Sequence, residues 1–95
     1  MSTKVLVVED DERIRTAVRL ALENEGWEVV EARSGEEALQ VFPEADADIV
    51  LIDIMLPGID GFEVCRTVSN PNRGIACVIV RLVAFIEQHV NSGLF

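Results

Sequence analysis

Three carboxylates stand where two apolar runs end. Val5–Val8 leads straight into Glu9 and Asp10, and Ile49–Ile52 leads straight into Asp53. If the two runs are neighbouring parallel strands, these acids meet at one edge of a sheet, and packing gives no reason to gather them there. Two ionised carboxylates about 4 Å apart repel by roughly 4 kcal/mol at an effective dielectric near 20. A divalent cation, or chemistry on one of the acids, removes that penalty. Oxygen ligands without His or Cys favour Mg2+ over zinc. Asp11 and Glu12 read instead as the acidic start of a helix, where negative charge complements the helix dipole.

The elements that must position these acids follow from the hydrophobic pattern. Lys4–Glu9 is a Val-rich buried strand. Asp11 caps a helix whose apolar stripe is Ile14, Ala17, Val18, Ala21 and Leu22, and Gly26 ends it. Trp27–Ala32 is a second strand, with Trp27 a packing residue at its start. Ser34-Gly-Glu-Glu37 is a capping box, with Ser34 as cap and Glu37 reaching back. The helix it opens carries Ala38, Leu39 and Phe42, and Pro43 is expected to close it. Ala47–Asp53 is a third strand, apolar on both faces and therefore central. Pro57-Gly58 marks a turn, and Asp60–Glu63 opens a helix whose inner face is expected to be Phe62, Cys65 and Val68. Ile75–Ala84 reads as a fourth strand, followed by a short helix near Phe85–Asn91; the alternative is one buried helix over residues 75–90, since a short apolar run fits both. The alternation βαβαβαβα implies an α/β fold, a parallel sheet with helices on both faces.

Composition sets the partners. The 95 residues make one domain, 49% of them hydrophobic, with 17 acidic against 8 basic residues and a net charge of −9. That balance argues against nucleic-acid binding by this chain, because phosphate contacts need Lys and Arg; it suits a cation or a basic partner. Residues 1–68 hold 16 acids and 6 bases, whereas residues 69–95 hold one acid and two bases, so the C-terminal segment differs in character. Cys65 and Cys77 form no CxxC and are expected to be buried free thiols. The run Ile75–Ile86 is too short to span a bilayer and Arg81 interrupts it, so no membrane association and a cytoplasmic location are expected. His89 lacks any partner at metal-ligand spacing.

Val5-Leu-Val-Val-Glu-Asp-Asp11 and Ile49-Val-Leu-Ile-Asp-Ile-Met-Leu-Pro-Gly-Ile-Asp-Gly61 resemble the receiver domains of two-component response regulators. Ala32-Arg-Ser-Gly-Glu-Glu-Ala38 fits as well, and the chain most resembles the branch joined to winged-helix DNA-binding domains. The resemblance implies a flavodoxin-like fold and a phosphoacceptor signalling module rather than an enzyme. Asp53 would accept a phosphoryl group from a sensor histidine kinase as an acyl phosphate. Asp10, Asp53 and the Met55 backbone carbonyl would hold Mg2+, and Glu9 would act through a bound water.

The match is good over residues 1–68 and thins over 69–95. The family's Thr or Ser at the end of the fourth strand falls on Val83, which cannot donate a hydrogen bond. The family's Lys on a fifth strand has no counterpart: Lys4 is the sole lysine and stands at the start of the first strand. The expectation is therefore a receiver truncated after the fourth strand, lacking the fifth strand and last helix, with divergent residues 69–95. Its fourth strand becomes a sheet edge exposing Ile75, Cys77, Val78, Ile79 and Val80, which predicts a homodimer or a segment-swapped oligomer. The alternative function is a receiver-like binding or oligomerisation module that has lost phosphorylation. A metal-dependent hydrolase using Asp53 is disfavoured, since no second catalytic acid follows at the spacing such phosphatases use.

Overall fold

The computed structural model describes residues 3–58, 61–68 and 74–80. Strand and helix alternate through β1 (Lys4–Val8), α1 (Glu12–Asn24), β2 (Glu28–Ala32), α2 (Gly35–Ala45), β3 (Ile49–Asp53), α3 (Gly61–Val68) and β4 (Ala76–Val80). The four strands form one parallel sheet in the order β2-β1-β3-β4. From β1 the chain steps outward to β2, then returns past β1 to β3 and β4. Right-handed crossovers in opposite directions place α1 on one face and α2 with α3 on the other.

Two apolar layers follow. Leu6, Val8, Val50 and Ile52 pack with Ala38 of α2 and with Val64 and Val68 of α3. Val5 and Val7 pack with Val18 and Leu22 of α1, against which Trp27 also lies. Val5–Val8 are all buried, since both faces of β1 are covered. Each buried Val contributes about 1.5–3 kcal/mol. This is the continuous apolar run of a central parallel strand rather than an alternating one.

The helix starts obey the sequence. Asp11 accepts a hydrogen bond from the Arg13 amide at 2.9 Å, and Ser34 Oγ accepts from the Glu37 amide at 3.0 Å. Glu37 does reach back, but to the amide of Arg33 at 3.0 Å, one residue before the cap.

Three expectations need correction. Pro43 does not close α2, which runs on to Ala45. The proline forfeits one amide hydrogen bond, but the last turn buries Ala45, and Asp46 ends the helix in the left-handed region at φ 53°. Phe62 is not on the inner face of α3; it is 61% exposed, and the inward positions are Gly61, Val64 and Val68. The cause is close approach: a Cβ on Gly61 would stand 2.9 Å from Ile52 Cγ2, so glycine lets α3 press on β3 and turns Phe62 outward. Cys65 and Cys77 are not free thiols; they form a disulfide across a Cα–Cα distance of 5.8 Å. Pairing of Val50 with Cys77 places β4 beside β3, and Cys65 lies one turn into α3 above that strand.

Val83, His89 and the helix expected near Phe85–Asn91 lie outside the described residues, as does the far end of the expected fourth strand. Among the described residues β4 is a sheet edge, with Val78 exposed. No helix among them is long and apolar enough to cross a membrane.

Closing a loop of 12 residues between α3 and β4 restricts the unfolded chain. The double variant Cys65→Ser/Cys77→Ser is expected to unfold in urea with about 2–3 kcal/mol less stability than the oxidised protein. Wild type treated with dithiothreitol should match it.

Candidate functional site

Parallel pairing brings the ends of β1 and β3 together. Val8 stands opposite Ile52, which sets Glu9 beside Asp53 just past the last rung. Because the chain leaves β1 towards β2 and leaves β3 towards β4, in opposite directions, this is also the point where strand order reverses. Open α/β sheets bind their ligands there, outside the carboxyl ends of the strands.

Glu9 is 1% exposed, and Asp53 is buried as well. The Glu9 carboxyl stands within hydrogen-bonding reach of the Asp53 and Asp10 side chains, and its pKa is pushed up to about 8, chiefly by burial and then by these neighbouring acids. Glu9 Oε2 accepts a hydrogen bond from the Asp10 amide at 2.8 Å. Oε1 is buried with no hydrogen-bond partner. A buried oxygen facing other carboxylates needs a proton or a cation to satisfy it.

Asp53 is held from the loop that follows β3. The Met55 amide, two residues past the strand's end, donates to its Oδ1 at 3.1 Å and fixes one carboxylate oxygen. Met55 itself is 69% exposed and Ile54 half exposed, so the loop lifts apolar side chains into solvent beside the acids. Asp10 is exposed at the mouth. Among the described residues no group of three or more His, Cys, Asp or Glu side chains is arranged to hold a metal ion unaided. A cation here would draw on backbone oxygen and water as well as carboxylates, as hard divalent ions commonly do.

The structure thus brings Glu9, Asp10 and Asp53 to one edge, with Met55 against Asp53. Lys4 lies at the opposite edge, its Nζ 3.6 Å from Glu28 and its amide 3.0 Å from Asp48 Oδ2. Asp11 and Glu12 serve the start of α1. The Asp11 carboxyl is held below its usual pKa by hydrogen bonds from Arg13.

One residue of this neighbourhood was not singled out from the sequence. Arg15 of α1 is buried, and its guanidinium donates to the Glu9 backbone carbonyl at 2.9 Å and to Glu31 Oε1 at 3.1 Å. The available signal was helical spacing: positions 15, 18 and 22 share the inward stripe, so a cation at 15 falls on the buried face.

A model of the family described as the response regulator receiver domain matches residues 5–90. The chain is 48% identical over 86 residues to the transcriptional regulatory protein ResD of Bacillus subtilis, covering 90% of this chain and 35% of that protein. It is 50% identical over 69 residues to the transcriptional regulatory protein AfsQ1 of Streptomyces coelicolor, covering 73% and 31%. The chain therefore spans about a third of the length of these curated relatives. Among solved structures, the chemotaxis response regulator CheY4 of Vibrio cholerae aligns with a TM-score of 0.76 at 31% identity, over 83% of this chain and 68% of that one.

Folding raises the proton affinity of Glu9, so its contribution to metal-free stability is complete below the unfolded value near 4.5 and is lost as pH rises toward about 8. Urea midpoints measured across that window in chelator should fall with pH in wild type. Glu9→Gln is expected to flatten the fall.

Proposed function

The chain belongs to the response regulator receiver domain family, and on that premise we propose that it is a phosphoacceptor signalling module that takes a phosphoryl group on Asp53 from a sensor histidine kinase. The observation that supports this most is the burial of Glu9 against Asp53 across the β1–β3 pairing, with Asp10 at the mouth.

The donor set suits Mg2+. Asp10, Asp53 and the Met55 backbone carbonyl would hold it, with Glu9 acting through water, and the orphaned Glu9 Oε1 gives such a water or ion a partner to satisfy. When bound, the ion supplies positive charge against the equatorial oxygens of the transferring phosphoryl group.

Asp53 supplies the nucleophile. A carboxylate oxygen forms the bond to phosphorus as the P–N bond to the kinase histidine breaks, and the electron pair stays on the imidazole nitrogen. The Met55 amide orients the carboxylate for this attack through Oδ1. Asp10 and Asp53 place carboxylates where a phosphate must approach, and the cation would offset that repulsion. In this reading the chain is the kinase's partner and acceptor, not an enzyme with a substrate of its own.

The relatives are transcriptional regulatory proteins, so the acceptor would be joined to a winged-helix DNA-binding segment that makes the nucleic-acid contacts this acidic chain is unsuited to make. Its compartment would be the cytoplasm. Thiol pools there favour the reduced cysteine pair, so the cross-link would close under oxidation. The alternative of a phosphorylation-deficient binding module rests on Val83 and the missing Lys, and no feature of the described residues favours it.

Incubation with a small phosphodonor and Mg2+ should add one phosphoryl mass to the intact protein. The adduct is expected to vanish in Asp53→Ala and to diminish in Asp10→Ala. An unlabelled wild type, under conditions that label another receiver, would sink the reading.

The edge of β4, open among the described residues, would pair with a second copy of this chain, as a homodimer or by segment exchange. Small-angle scattering at rising concentration should show a dimer, and a monomer throughout would refute it.

A further inference from the structure

The Glu9–Asp10 peptide is gripped at both of its polar groups. Its N–H, on the Asp10 side, donates to Glu9 Oε2 at 2.8 Å. Its C=O, on the Glu9 side, accepts from Arg15 Nη1 at 2.9 Å. That second contact is buried and comes from another element, α1, which begins after the acidic turn. Arg15 is in turn held by Glu31, through Nε to Oε1 at 3.1 Å. Glu31 sits on β2 opposite Val7 of β1, so its position is fixed by the sheet. Its other oxygen lies 3.5 Å from Arg19 Nε, and Arg19 also contacts Glu23 at 3.0 Å.

We infer that Arg15 is a positioning residue for the cation site, clamping the plane of the Glu9–Asp10 peptide so that the two consecutive carboxylates leave β1 in fixed directions. The inference rests on the Mg2+ reading given above. It makes a demand that charge alone does not. A guanidinium at the end of β1 repels a nearby cation, so by electrostatics its removal should tighten cation binding. If the guanidinium acts as a clamp, its removal should weaken binding. The planar fork matters because one donor faces the carbonyl while another faces Glu31; a lysine ammonium keeps the charge but cannot reproduce that geometry.

Calorimetric titration of the full chain with MgCl2 tests this. Arg15→Met is expected to weaken binding by about tenfold or more, the usual effect of losing a group that orients metal ligands. Arg15→Lys, at unchanged charge, should fall between Arg15→Met and wild type. Arg66→Met removes an exposed positive charge from α3 without touching Glu9, Arg15 or Glu31, and should bind Mg2+ as tightly as wild type or slightly more tightly. Wild-type affinity in Arg15→Met, or tighter binding, would overturn the clamp. If Arg15→Met does not fold, Arg15→Lys decides alone, and affinity equal to wild type overturns the inference. A wild type that binds no Mg2+ removes the reading on which the inference stands, which separates that failure from failure of the clamp.

Discussion

The in-register pairing of β1 with β3 is the constraint from which the rest of the molecule follows. Two buried apolar strands lie side by side and parallel, and each ends in acid at the same level. Sliding β3 by one residue would turn Ile52 and Val50 out of the layer they share with α2 and α3. The apolar core therefore dictates the meeting of Glu9 and Asp53. Burial of Val5–Val8, Val50 and Ile52 outweighs the repulsion concentrated at their ends, and the fold holds carboxylates together that would separate if free in water.

Around that forced meeting, the surrounding contacts fix direction. The Met55 amide orients Asp53, the Asp10 amide engages Glu9, and Arg15 holds the carbonyl between the two acids. Each fixes an acid or the peptide between two acids, and the Arg15 contact, with its ionised donor, is stronger than a bond between neutral groups. Preorganisation of this kind suits a site whose task is to place a charged group for transfer rather than to enclose a substrate.

Much of this was legible in the sequence, and the reason differs from part to part. The strand ends could be read because an unbroken apolar run that stops at an acid has one natural interpretation in a parallel sheet. The caps at Asp11 and Ser34 could be read because they depend on neighbours within three residues. What failed depended on distance in space. Arg15 looks like an ordinary helix arginine until β1 and β2 are set beneath it. Cys65 and Cys77 carry no local spacing signal, and only the docking of α3 over β4 brings them within bonding range. The hydrophobicity of Phe62 points inward, but the close approach of Gly61 to Ile52 sets the rotation of α3 and leaves Phe62 exposed. Pro43 has the residue type that usually ends a helix, yet burial of Ala45 carries α2 two residues further.

The bond between Cys65 and Cys77 also changes how the sheet bears mechanical load. An edge strand held by hydrogen bonds on one side can be peeled from its end, rung by rung. Here a pull on the chain beyond Val80 reaches the sulfur bridge after only a few rungs and is passed into α3. That helix is seated on Ile52 through Gly61, immediately before Asp53. In the oxidised protein, tension on β4 would thereby pass into the helix that rests on Ile52, and the covalent ring makes this border a tether.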